Sequence, residues 1–145
     1  MPTKRGNALH RQAGVTLIEV LITALVLSIG LLGLAGLQAY SLQANDSAYL
    51  RSQAAVVSYA LVDRLRAERA NASSYDTGGS FIDENSNTGN AELDGWAQEQ
   101  LARLPGGEAR VDCDGAESLC TIEIRWDDTR AGGDSTQTFQ TQTRP

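Results

Sequence analysis

Between Val20 and Leu37 the chain carries no charged residue, and a carboxylate, Glu19, stands at the N-terminal edge of that run. At about 1.5 Å per helical residue such a run reaches roughly 27 Å, close to the hydrocarbon thickness of a bilayer. In an apolar segment only a helix satisfies every backbone N–H and C=O internally, so the run is expected to be helical. Glu19 then becomes the conspicuous residue. A charge costs about 2.5–3.5 kcal/mol near the middle of a bilayer on insertion scales and is tolerated where it finds a partner.

Charge is distributed unevenly about this segment. The first 14 residues hold Lys4, Arg5 and Arg11 and no acid; the rest of the chain sets nine basic residues against 18 acidic ones, a formal charge of −9. Basic residues flanking a span stay on the cytoplasmic side, which predicts an inner N-terminus and an exported acidic body. A secretory signal peptide would share the basic start, and Leu37-Gln38-Ala39 is a passable cleavage site, but its apolar core would run only about 7–15 residues. An uncleaved anchor accounts for the length and leaves Glu19 unexplained.

Beyond the span, Leu50, Ala54, Val57, Leu61 and Leu65 recur at three- and four-residue steps, so the helix is expected to continue as an amphipathic one, about 50 residues in all. No proline interrupts it between Pro2 and Pro105. Arg64, Arg66 and Arg69 suit the negative end of that helix and read as a solvated cluster. Gly30, Gly33 and Gly36 each cost about 1 kcal/mol of helix propensity relative to alanine. Small residues there permit either close helix packing or local loosening of the helix.

Residues 71–90 are rich in Ser, Asn, Gly and Asp and read as a loop anchored by Tyr75, Phe81 and Ile82. Asn90 is a candidate N-cap for a short helix with Leu93, Ala97, Leu101 and Leu104 on one face, stopped by Pro105-Gly106-Gly107. Strands are predicted at 109–113 and 121–126, where Ile122 and Ile124 alternate with Glu123 and Arg125, and a polar edge strand of weak register at 136–143. Cys113 and Cys120 bracket an Asp114-Gly115 turn, which suits a disulfide in an oxidising compartment such as a periplasm. Two unrelated buried thiols are the alternative. The fold class is α+β: a long N-terminal helix, apolar then amphipathic, laid on a small antiparallel sheet.

Chemistry finds few candidates. The one histidine, His10, lies in the leader, and C-x-x-C spacing is absent, so no metal or cofactor is expected. Asp112-Cys113-Asp114-Gly115 lacks the ligand spacing of a calcium loop, and Asp127-Asp128 reads as solvated turn acids. An acidic body also argues against nucleic acid. A binding protein would need a concave apolar site, for which 6% aromatic residues leave little material.

Gly14-Val15-Thr16-Leu17-Ile18-Glu19, behind a short basic leader and ahead of a long apolar helix, resembles the class III signal of type IV pilins and of type II secretion pseudopilins. The continuation Ser28-Ile29-Gly30-Leu31-Leu32-Gly33-Leu34-Ala35-Gly36-Leu37-Gln38, with Leu104-Pro105-Gly106-Gly107 and Ile124-Arg125-Trp126-Asp127-Asp128, resembles more narrowly the minor pilins called type IV pilus modification protein, PilV type. Val15 stands where most pilins carry phenylalanine and is still apolar. The resemblance implies a leader of residues 1–14, a membrane and assembly helix at 15–38 and a periplasmic domain at 39–145, with residues 71–90 as the variable segment. It implies cleavage after Gly14 by a prepilin peptidase, N-methylation of Val15, and a Glu19 that meets the Val15 amine of a neighbouring subunit. It also places helix loosening at Gly30, Gly33 and Gly36. The expected partners are other minor pilins, the major pilin, the inner-membrane assembly machinery and membrane lipid, and the destination is the pilus. No enzymatic activity is expected, and a pseudopilin is the nearest alternative.

Overall fold

The computed structural model describes residues 14–114 and 119–145. The expected leader up to residue 13, His10 included, and the expected turn at Gly115 lie outside the described residues. The elements are α1 (Leu17–Ala67), α2 (Ala91–Gln100), β1 (Glu108–Asp114), β2 (Leu119–Trp126) and β3 (Gln137–Thr143), with short 3-10 turns at Arg69–Tyr75, Leu101–Arg103 and Thr129–Ala131. Two units divide the chain, Met1–Ala39 and Tyr40–Pro145.

In the first unit the residues from Gly14 to Ala39 are all exposed, and α1 there is long and apolar enough to cross a membrane. Its hydroxyls are satisfied within the helix, as an apolar environment requires. Thr23 Oγ1 donates to the Glu19 and Val20 carbonyls at 2.6 and 2.9 Å, and Ser28 Oγ donates to the Ala24 carbonyl at 2.7 Å.

The second unit is an α+β domain. Its sheet is a three-stranded antiparallel meander in the order β1-β2-β3, with Val111 opposite Ile122 and Ile124 opposite Phe139. Of the α1 residues picked out by periodicity, Ala54, Val57, Leu61 and Leu65 are fully buried against this layer together with Leu93 and Trp96 of α2, and Leu50 is partly buried against it. Asn90 caps α2 as expected, accepting from the Glu92 and Leu93 N–H groups at 3.0 and 3.2 Å and donating to Ser74. Gly106 continues the stop after Pro105 at φ 57°, where a Cβ is costly.

Four expectations need correction. The segment expected as a loop from residue 71 starts with the 3-10 turn Arg69–Tyr75, whose Tyr75 is fully buried, because an apolar anchor pulls the chain back onto the core. Arg64 is not free in solvent: it pairs with Glu92 at 3.3 Å and Glu99 at 3.9 Å, tying α1 to α2. Glu123 does not face water as its alternation with Ile122 and Ile124 suggested. Arg110 and Arg125 both donate to it, and both guanidinium groups lie over the Phe81 ring, Arg125 at 3.6 Å and Arg110 at 4.9 Å from its centre, which covers the carboxylate.

Asp128 is the fourth. It is 1% exposed, with Ser47 Oγ of α1 donating to its Oδ2 at 2.6 Å. Gly133 makes the burial possible, since a Cβ there would stand 2.2 Å from that oxygen. Its neighbour Asp127 behaves as expected of a turn acid: the Thr129 N–H donates to it at 2.9 Å and holds its carboxyl below the usual range.

Tyr75 gives the fold a pH signature. Burial, reinforced by the negative charge of Glu68, pushes its hydroxyl up to about 12 from an ordinary value of 10.0. A raised folded-state pKa means stability that is complete below pH 10 and is lost as the pH climbs towards 12. Thermal melts between pH 9 and pH 12 are expected to show that loss, and Tyr75→Phe to flatten it.

Candidate functional site

Thr16 opens α1. Its carbonyl accepts from the Glu19 and Val20 N–H groups at 3.0 and 3.3 Å, and its Oγ1 accepts from the Glu19 N–H at 3.4 Å. Thr16 and Glu19 are therefore N-cap and third helical residue, the spacing of a capping box, in which an acid also faces the positive end of the helix dipole. The reading from sequence concentrated on Gly14, Val15 and Glu19 and passed over Thr16. The T-x-x-E signal was present in the sequence to be found.

Val15 and Glu19 are exposed, and Gly14 lies just ahead of the helix, in no regular element and with open space around its Cα. The site is thus a glycine outside regular structure, an apolar residue after it, and a carboxylate one helical turn on. No nucleophile or base accompanies it among the described residues up to Ala39, which hold only Thr16, Thr23 and Ser28 as hydroxyl side chains, two of them bonded to carbonyls. Such an arrangement is suited to being acted upon and to pairing with a cation.

Gly30, Gly33 and Gly36 lie within unbroken helix, and nothing stands within 4 Å of a Cβ built on any of them. Leu42, Tyr49 and Val56, seven residues apart on α1, are 66%, 65% and 56% exposed, on the side of the helix away from Ala54, Leu61 and Leu65.

Cys113 and Cys120 are register partners on β1 and β2 and are joined by a disulfide, with their Cα atoms 4.0 Å apart. Closing so short a loop is worth about 2.5 kcal/mol in the chain-entropy account. The bond pins the hairpin and is far in sequence from the N-terminal motif.

A family model described as Prokaryotic N-terminal methylation motif matches residues 9–35, the stretch that contains Gly14, Val15, Thr16 and Glu19. No curated protein and no solved structure matches the chain significantly. The motif indicates a precursor of the type IV pilin or pseudopilin kind, a structural subunit in character, and the α+β architecture with its long N-terminal helix is pilin-like.

Proposed function

We propose that this chain is a minor pilin of the type IV pilus modification protein type, which takes part in priming and assembling the pilus. The observation that carries the reading is the methylation motif laid on a helix that Thr16 caps and Glu19 follows. The basic leader stays in the cytoplasm, the run Val20 to Leu37 holds the subunit in the inner membrane, and residues 39–145 stand in the periplasm. A prepilin peptidase removes residues 1–14, and the new Val15 amine is methylated. Glu19 of the incoming subunit meets the Val15 amine of a neighbour, which relieves the cost of an unpaired carboxylate in an apolar setting. The glycines at 30, 33 and 36 weaken the helix where the subunit exchanges lipid for filament. Major pilin and other minor pilins are the partners, and the exposed line Leu42, Tyr49, Val56 offers them apolar surface.

Mass spectrometry of the membrane-extracted chain tests this directly: a methylated N-terminus at Val15 is expected, and one at Met1, or at Tyr40 after cleavage behind Ala39, rules it out. Glu19→Gln separates processing from docking. The glutamine variant is expected to be cut normally and to lose most of its co-purification with other pilins, while undiminished co-purification would remove Glu19 from the assembly contact. Deleting the gene distinguishes pilin from pseudopilin. Loss of surface fibres fits the proposal, and a block in protein secretion with fibres intact contradicts it.

A further inference from the structure

At about 1.5 Å per helical residue, the roughly 30 Å of a bilayer's hydrocarbon takes about 20 residues, so a span that begins at Val20 ends near Ala39. The headgroup layer adds about 5–7.5 Å on each side, which takes in residues 40–44 of α1. Tyr40 is exposed there, and tyrosine is a residue favoured at membrane interfaces. The turn between β2 and β3 packs beside this same stretch of α1. A Cβ built on Gly132 would stand 3.5 Å from Gln43 Oε1, Ser47 donates to Asp128, and Arg130 shares a cavity with Asp46, Tyr49 and Leu50. The other end of the sheet lies beyond the far end of α1, where the Cys113 Sγ is 3.6 Å from the Ala72 carbonyl oxygen.

Two arginines stand at this end of the domain. Arg103 and Arg130 line a cavity of about 420 Å³ with Leu104, Pro105, Gly106 and Asp127. Both are exposed; Arg130 makes no ion pair among the described residues, and Arg103 holds Glu99 only at 3.8 Å. Acids accompany them, since Asp46 and Asp127 line the cavity that Arg130 shares with α1, and Asp134 is exposed on the same turn. A surface that carries both signs of charge suits a zwitterion better than an anion. We infer that this end of the domain is a lipid-docking surface for headgroups that carry both a phosphodiester and a primary ammonium, as phosphatidylethanolamine does.

Each part of such a headgroup has a counterpart. A guanidinium presents a planar fork of N–H donors to phosphate oxygens, and the bonds are charge-assisted. The ammonium donates to Asp46 and Asp134. Phosphatidylglycerol keeps the phosphate but brings a net negative charge to a surface that already holds acids, and the quaternary nitrogen of phosphatidylcholine has no N–H to donate. Arg130 stands level with residues 46–50 of α1, about 10–17 Å beyond Ala39. It reaches the headgroups by extending its side chain towards the bilayer, as arginines flanking a span do, and the usual helix tilt of about 20° lowers the turn further on one side. The contact fixes the height and tilt of the domain while the subunit is in lipid, and is given up when the subunit leaves. It rests on the membrane reading of α1 and not on the pilin one.

Native mass spectrometry of the membrane-extracted chain, reconstituted in nanodiscs of equal parts phosphatidylethanolamine, phosphatidylcholine and phosphatidylglycerol, reads which lipids stay bound. Phosphatidylethanolamine is expected to be retained in preference to the other two. R103Q and R130Q are each expected to lower its retention roughly fivefold, the worth of one arginine near a headgroup surface. D46N/D134N is expected to erase the preference over phosphatidylcholine. All four side chains are exposed, so melting temperatures in detergent are expected to stay unchanged. Equal retention of the three lipids, a preference for phosphatidylglycerol, or a preference for phosphatidylethanolamine undiminished in R103Q/R130Q or in D46N/D134N overturns the inference. Lipid held by the span alone would give the last of these. The same spectra read the N-terminus: a start at Val15 with equal lipid retention leaves the minor-pilin reading standing while this one falls, and a start at Met1 with the lipid preference intact does the reverse.

Discussion

Replacing Gly14 by valine is expected to leave the precursor uncut, so that the membrane-extracted chain keeps its leader and the species beginning at Val15 falls from nearly all of the protein to almost none. The structure makes this variant informative. Gly14 lies outside α1, and a Cβ built on it meets nothing within 4 Å, so the substitution has no packing to disturb in the folded chain. Any effect must arise where the chain is handled by another protein, and a peptidase that grips extended backbone closely has reason to demand a residue without a side chain. Intact-mass measurement of the extracted protein decides it, and normal cleavage of the valine variant would separate this signal from the prepilin type.

Truncating Trp96 to alanine is expected to have the largest effect on folding. The indole is fully buried in the core that α1, α2 and the sheet share, and its Nε1 has no hydrogen-bond partner among the described residues, so its contribution is one of volume and contact. Large aromatic-to-alanine changes in cores cost about 3–5 kcal/mol, a large part of the roughly 5–15 kcal/mol that holds a domain together. At about 4–8 °C per kcal/mol for a small domain, the melting temperature should fall by well over 10 °C. Thermal unfolding followed by circular dichroism measures this. A fall of only a few degrees would mean that the site collapses around the missing ring.

The two variants act on different parts of the chain, and those parts were unequally legible from sequence. The N-terminal motif and the span depend on residues adjacent in the chain, and a lipid environment leaves a helix as the one way to satisfy their backbone. Local spacing therefore carried the reading through Glu19 and on to Leu65, and even the capping role of Thr16 was written in the Thr16-x-x-Glu19 interval. The cap at Asn90 and the three strands were legible for the same reason, each being a pattern of period 3.6 or 2 bounded by turn residues.

Residues whose environment is assembled from distant segments were misread. Asp128 looked like a solvated turn acid because the sequence cannot show that Ser47, 81 positions earlier, donates to it or that Gly133 leaves it room. Glu123 alternated with isoleucines and so looked exposed, yet Phe81, brought alongside by the bridge between Ile82 and Ala109, carries the two arginines that cover it. Arg64 acquired its partners only when α2 packed against α1.

The sequence by itself determined the long helix, its charged mouth and the N-terminal methylation motif, since each is a matter of short-range spacing and of solvent. Tertiary structure decided which polar groups are paired and which edge of the sheet is left open. The third strand was expected to be a polar edge strand, and Gln137–Thr143 is one; that the other edge, β1, is closed was not visible. That depends on Thr77 and Ile82 folding back to close β1 while no strand among the described residues does the same for β3, because unsatisfied backbone is a property of the assembled sheet and of no single segment.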